Sequence, residues 1–292
     1  MDAVLQIIVT GLYLGAMYAL ASVGLALVYG TMGMFNMSHG LFMTVGAYAA
    51  YAACQNWGLP LPLGLLLGIL AGGLAGTLLH VFVVRNILDA DDFETIIMVA
   101  TAGVAILLQD IILKQFGAYP FKQPIQLEGA FKIGNVAITY QSVLILVIAG
   151  ILISAMAWLL AFTRFGRAIR ATAMNREAAQ LMGVRTERIY LQVMAISGVL
   201  AAAAGILISS LAGLSPALGD NPLIRAFIIC VVAGLGSVTG AGFCAVAFGI
   251  VEAAIGYYLG VRFGLPLMLA VVILVLIIKP AGLFGQREIV RS

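Results

Sequence analysis

The sequence predicts an all-α fold, a polytopic transmembrane helical bundle of about eight or nine spans with broken or re-entrant segments and a short cytoplasmic helix. Three observations carry this reading. The chain is 63% hydrophobic and 9% charged, where a soluble domain carries roughly a quarter charged residues. Its first 84 residues contain one formal charge, Asp2, and uncharged apolar runs of about 18 residues or more mark membrane-spanning helices. Of 15 Lys and Arg residues, Arg164, Arg167, Arg170, Arg176, Arg185 and Arg188 crowd into Thr163–Ile189. The 292 residues read as a single transmembrane domain without a separate soluble one.

The apolar segments run approximately over 4–29, 40–56, 60–84, 94–113, 140–162, 189–212, 222–236, 241–259 and 265–278. No basic n-region or small-residue cleavage site accompanies the first, which therefore reads as a retained span. After it comes VYGTMGMFNMSHG (Val28–Gly40), which holds Asn36, Ser38, His39 and Gly40 but no Asp, Glu, Lys or Arg. Irregular backbone at membrane depth is tolerated where protein buries it or a watery cavity lines it. Span three carries glycines at 64, 68, 72 and 76, a face on which helix backbones approach closely in lipid. Gly11 with Gly15, and Gly256 with Gly260, read the same way. The longest outer loop is about 114–139 and contains Pro120 and Pro124.

Segment seven is short, and GLGSVTGAG (Gly234–Gly242) joins it to segment eight, so it reads as a half-helix or re-entrant element. Transporters place broken helices of this kind beside their substrate. Asn36, Ser38, His39, Gly40, Gly234, Gly236 and Ser237 are therefore candidates for a substrate path, with plain tight turns as the alternative. Glu252 joins them. An ionisable side chain within a span is costly unless it is paired or faces a cavity, and any basic partner must come from another segment. His39 is read first as a hydrogen-bonding structural residue and second as a proton acceptor.

Cytoplasmic loops hold an excess of Lys and Arg. Placing 163–188 in the cytoplasm puts Arg85, Lys279, Arg287 and Arg291 there too, and leaves Lys114, Lys122, Lys132, Arg225 and Arg262 outside. The N-terminus is then outside and the C-terminus cytoplasmic. Cys54, Cys230 and Cys244 lack metal-ligand spacing. A net charge of +3 is too small to suggest nucleic acid, and membrane lipid is the implied surroundings. No HExxH or GxSxG stands in the chain, which ranks an intramembrane enzyme last. No catalytic residue, metal site or cofactor is expected.

Within the basic stretch, NREAAQLM (Asn175–Met182) opens on a good N-cap and closes at Gly183, a natural helix stop. One apolar side and one polar side suit either a docking element or an amphipathic helix lying on lipid. The segment FGRAIRATAMNREAAQLMGV resembles the cytoplasmic loop of permease subunits of bacterial ABC importers. VYGTMGMFNMSHG followed by GAY, then AGLGSVTGA, then KPAGLFG (Lys279–Gly285) resemble, in order, the LivH type of branched-chain amino-acid importers.

That resemblance implies a permease subunit in a bacterial inner membrane. Its partners would be a second homologous permease, two cytoplasmic ATPase subunits and a periplasmic substrate-binding protein. It also implies a coupling helix, mapped here onto Arg170, Asn175, Arg176, Glu177, Ala178, Leu181, Met182 and Gly183. The Lys114–Thr139 loop and Leu214–Asn221 are the expected contacts for the binding protein. The chain has no GxxxxGK[ST], so the phosphate-cradling loop must come from another chain. The family's first break commonly reads NFAHG, and NMSHG stands here. Relatives of this architecture import urea, short amides or organic acids as well as amino acids. A secondary carrier coupled to ions through His39 and Glu252 is the reading from outside this class.

Overall fold

The computed structural model describes residues 2–124, 127, 129–133 and 136–285. Arg287 and Arg291, assigned above to the cytoplasm, lie outside the described residues. Among the described residues, seven helices are long and apolar enough to cross a membrane. The first is α1 (Asp2–Met32). The next is a continuous rod made of α3 (Leu61–Leu79), a π-helical turn (His80–Val84) and α4 (Arg85–Ile87). The others are α5 (Phe93–Phe116), α6 (Tyr140–Phe162), α9 (Thr186–Ala212), α11 (Val238–Tyr258) and α12 (Gly264–Ile278), the last made 18 residues long by the 3-10 turn Val261–Phe263 that leads into it. A two-stranded hairpin, β1 (Ala130–Ile133) and β2 (Val136–Thr139), interrupts the loop before α6.

The two remaining apolar segments form α2 (His39–Gln55) and α10 (Asp220–Ala233). At 1.5 Å per residue these measure about 26 and 21 Å, short of a hydrocarbon core about 30 Å thick. The nine apolar segments are thus seven long helices and two short ones among the described residues. Both are short for the same reason. Gly33, in the left-handed region at φ +68°, ends α1, and the chain turns back into the bundle until the His39 ring meets the Ala21 carbonyl. Gly213, at φ +85°, ends α9, and the chain turns back until Gly219 lies against the Gly40 backbone.

The two returning segments are buried, so their polar groups need partners. Ser38 Oγ donates to the Thr101 carbonyl at 2.6 Å, and Met37 N donates to Thr101 Oγ1 at 3.1 Å. Leu214 exchanges both backbone hydrogen bonds with Phe121, each 2.9 Å. Gly219 N donates to Thr44 Oγ1 at 3.2 Å. The break expected at Gly234–Gly242 is instead the turn joining α10 to α11. Its Ser237 caps α11 by accepting from Gly240 N at 3.2 Å.

α1–α2–α3 and α9–α10–α11 repeat one pattern in opposite directions: a long helix, a returning segment, a short helix and a long helix. The packing follows the repeat, because α1 lies most extensively on α11, and α3 on α9. Small residues make both interfaces. Gly11 and Gly15 meet Ile250 and Val246, while Gly72 and Gly76 meet Ala202, Gly198 and Met194. Gly68 and Gly64 close on α2. Gly256 and Gly260 do not belong to such a face: nothing lies within 4 Å of a Cβ built on either. α5, α6 and α12 are mostly exposed along their apolar lengths, as lipid-facing helices should be.

Candidate functional site

Two faces result. The N-terminus of α1, the C-terminus of α9 and the hairpin mark one, here the N-terminal face; α7 (Arg164–Met174) and α8 (Arg176–Leu181) mark the other, the basic face. On the N-terminal face, α1, α9, α10 and α11 enclose a cavity of about 690 Å³. Its wall is largely apolar, with Leu14, Met17, Ile208, Leu211 and Leu218 among the lining. Into it project an acidic and a basic side chain, Glu252 of α11 and Arg225 of α10. Arg225 Nη2 donates to Glu252 Oε1 at 2.9 Å, and Nε to Oε1 and Oε2 at 3.3 and 3.4 Å. The Arg225 guanidinium lies 5.8 Å over the Tyr18 ring, and Tyr18 lines the cavity together with both members of the pair.

Of the path candidates read from sequence, Glu252 lines this cavity. The others do not. His39 is fully buried, its Nε2 2.9 Å from the Ala21 carbonyl and its Nδ1 3.2 Å from Ser197 Oγ, which ties α2 to α1 and α9. Asn36 Oδ1 accepts from Ser38 N at 3.0 Å, inside the same buried turn. Gly40 is the close-approach point to Gly219. Gly236 packs on Gly30 at the end of α1, and Gly234 on Ala281 and Gly285. Tail residues Leu283 and Phe284 donate their N–H groups to the Val232 and Ala233 carbonyls at 2.8 and 2.9 Å. The KPAGLFG stretch thereby caps the end of α10.

Sequence reasoning missed Arg225, assigning it to the outside, and Tyr18. It also missed the return of 213–219, whose Leu214, Pro216, Leu218 and Gly219 are buried. Leu214–Asn221, expected to contact the binding protein, contributes Ser215, Ala217, Leu218 and Asn221 to the cavity lining and begins α10 at Asp220. The available signal was an arginine inside an apolar segment: the rule applied to Glu252 applied equally to Arg225.

On the basic face, Thr163 Oγ1 caps α7 by accepting from Gly166 N at 3.1 Å. Asn175 Oδ1 caps α8 by accepting from Ala178 N at 2.9 Å, and Gly183, at φ +84°, follows its end. Arg170 donates to the Leu160 carbonyl at the end of α6. Arg176 turns back onto the chain, with Nη2 3.2 Å from Asp89 Oδ1 and its guanidinium 5.8 Å over Tyr190. Gln180 Nε2 donates to Thr186 Oγ1 at 2.8 Å. α8 is thus braced to both α9 and the segment before α5. Glu177 and Ala178 are exposed. Met174, Leu181 and Met182 are 87%, 88% and 85% exposed, apolar side chains presented on a basic face. A second cavity of about 570 Å³ lies above α8, between Tyr29, Gly33, Phe93, Asn175 and Tyr190.

The family model for "Branched-chain amino acid transport system / permease component" matches residues 7–278. The chain is 28% identical to the high-affinity branched-chain amino acid transport system permease protein LivH of Escherichia coli K12, over 98% of this chain and 96% of that protein. It is 28% identical to the corresponding BraD of Pseudomonas aeruginosa, over 98% and 97%. It is 30% identical to the probable LivH of Methanocaldococcus jannaschii, over 91% and 88%. With seven membrane-length helices and a family match over nearly its whole length, the chain is a multi-pass inner-membrane protein that belongs to the branched-chain amino acid transport system permease component family.

Proposed function

We propose that the chain is the membrane permease of an ATP-driven importer that carries amino acids, branched-chain ones first, delivered by a periplasmic binding protein. The N-terminal face is periplasmic and the basic face cytoplasmic, in line with the excess of Lys and Arg on the latter. A second, homologous permease completes the membrane unit, and two ATPase subunits dock from the cytoplasm. The observation that carries this reading is the pairing of a cavity on one face with an exposed, capped helix on the other.

α8 is the coupling helix. Leu181 and Met182 supply the apolar anchors for an ATPase cleft, with Glu177 as a polar contact. Arg176 serves differently: through Asp89 and Tyr190 it passes a push on α8 to α5 and α9. ATP-driven closure of the ATPases biases the bundle between packings that open one cavity or the other. Glycine interfaces suit such motion, because backbones slide where few side chains interlock.

The test is purification of the tagged chain at native expression in a mild detergent, with mass spectrometry of what co-elutes, alongside L-leucine uptake. Two ATPase subunits and a second permease should co-elute, and uptake should survive collapse of ion gradients while ATP is held constant. A chain that elutes alone, with uptake that falls with the gradient, overturns the reading.

A further inference from the structure

The Arg225–Glu252 pair has no role in the docking described above, and it is a poor way to stabilise a bundle. Taking two charges out of water costs about as much as their attraction returns. Intramembrane ion pairs of this kind mark substrate or ion pathways. The pair is also not sealed: the two side chains retain 19% and 11% exposure and line the cavity. Among the described residues no other Lys, Arg, Asp or Glu lines it.

We propose that this pair is a zwitterion-binding site, in which an α-amino acid carboxylate takes the Arg225 guanidinium and its ammonium takes the Glu252 carboxylate. The proposal rests on the importer reading and names the chemistry by which the permease itself selects cargo.

Charge balance favours that ligand class. The pair is neutral as a whole, and a ligand carrying one charge of each sign replaces each lost contact with an equivalent one. A lone anion would take Arg225 and strand Glu252, and a lone cation would do the reverse. An uncharged amide could satisfy neither at the strength of the pair it breaks. Geometry agrees. Arg225 spends Nε and Nη2 on Glu252, and its Nη1 makes no hydrogen bond among the described residues. A planar guanidinium is suited to hold a carboxylate through two parallel bonds. The Tyr18 ring lies under the cation, so it holds the guanidinium in place when the pair parts. Beyond the pair, Met17, Leu14 and Ile208 offer an apolar wall for an aliphatic side chain. The site therefore reads main-chain charges at one end and an apolar side chain at the other.

The experiment is uptake of radiolabelled L-leucine by cells carrying the whole transporter, with binding-protein-stimulated ATP hydrolysis measured on the purified complex. Arg225→Gln/Glu252→Gln keeps hydrogen bonding between the two positions but removes both charges. Its uptake at saturating leucine should fall at least about tenfold, with stimulated hydrolysis within about twofold of the unaltered complex. Arg225→Lys keeps the ion pair and loses the planar fork; it decides the matter where the double variant fails to assemble, and its uptake should also fall.

Unaltered uptake in the double variant, or in Arg225→Lys, overturns the proposal. Equal loss of uptake and hydrolysis in an assembled variant also overturns it, because the pair is then part of coupling. An unaltered complex that assembles yet takes up no leucine contradicts the importer's substrate class itself, whatever the variants do.

Discussion

Glu252 sits where a charge is hardest to keep, two-thirds along an apolar helix, and Arg225 on the neighbouring helix answers it. Replacing Glu252 alone by alanine leaves a guanidinium uncompensated inside the bundle. The expected loss is about 3–5 kcal/mol of stability, read as a drop in the thermal midpoint of the detergent-solubilised chain. Arg225→Met/Glu252→Leu should restore most of that stability, because packed apolar groups replace a buried pair at little cost, and a midpoint as low as that of the single variant would count against it. His39 shows the opposite outcome. Both ring nitrogens are held by the protein, so His39→Phe should cost about 1–3 kcal/mol and leave the pH profile of uptake unchanged. A shifted profile would restore the proton-acceptor role. The sequence exposed Glu252 because a charge in an apolar run is conspicuous by itself. It hid Arg225, because a charge near a segment's edge is assigned to the adjoining loop, and nothing local indicates that the loop folds inward.

At the scale of elements, apolar runs and caps were legible and returns were not. Every apolar segment became a helix, since an apolar backbone in lipid must satisfy its hydrogen bonds within itself. Asn175 and Gly183 bound α8 as their chemistry dictates. The return at 213–219 escaped notice because Leu214, Ala217 and Leu218 continue the apolar character of α9, and Gly213, Ser215, Pro216 and Gly219 interrupt it without any charge. Whether such a stretch leaves the membrane or turns back depends on Thr44, Phe121 and Gly40, all distant in sequence. The glycine ladder had a legible spacing but an unknown partner, which proves to be α2 for its first half and α9 for its second. Gly72→Val should prevent the α3–α9 approach and abolish assembly, measured as monodisperse yield in detergent. Gly150→Ala, whose Cβ would meet open space in α6, should leave the yield unchanged or gain about 0.5–1 kcal/mol. Equal yields from the two would refute the packing account.

Seen whole, the molecule is two inverted arms joined through the segment from α4 to α8, with the N-termini of its short helices back to back at Gly40 and Gly219. That arrangement gives a cavity to each face and a brace from the basic face into the bundle. Its orientation is testable in a background lacking Cys54, Cys230 and Cys244. A cysteine in place of Tyr119, 86% exposed, should react in intact cells with an impermeant maleimide, and one in place of Met174, 87% exposed, only after permeabilisation. The reverse pattern would invert the proposed topology. ATP-driven transport through this bundle requires that α8 receive the ATPases. Leu181→Asp/Met182→Asp alters two side chains that touch little of their own chain, so insertion and folding should persist. The measurement is the amount of ATPase that co-purifies with this variant relative to the unaltered chain. Loss of the ATPase with the second permease still bound is the predicted result; ATPase retained at the unaltered level, with uptake intact, would contradict the account.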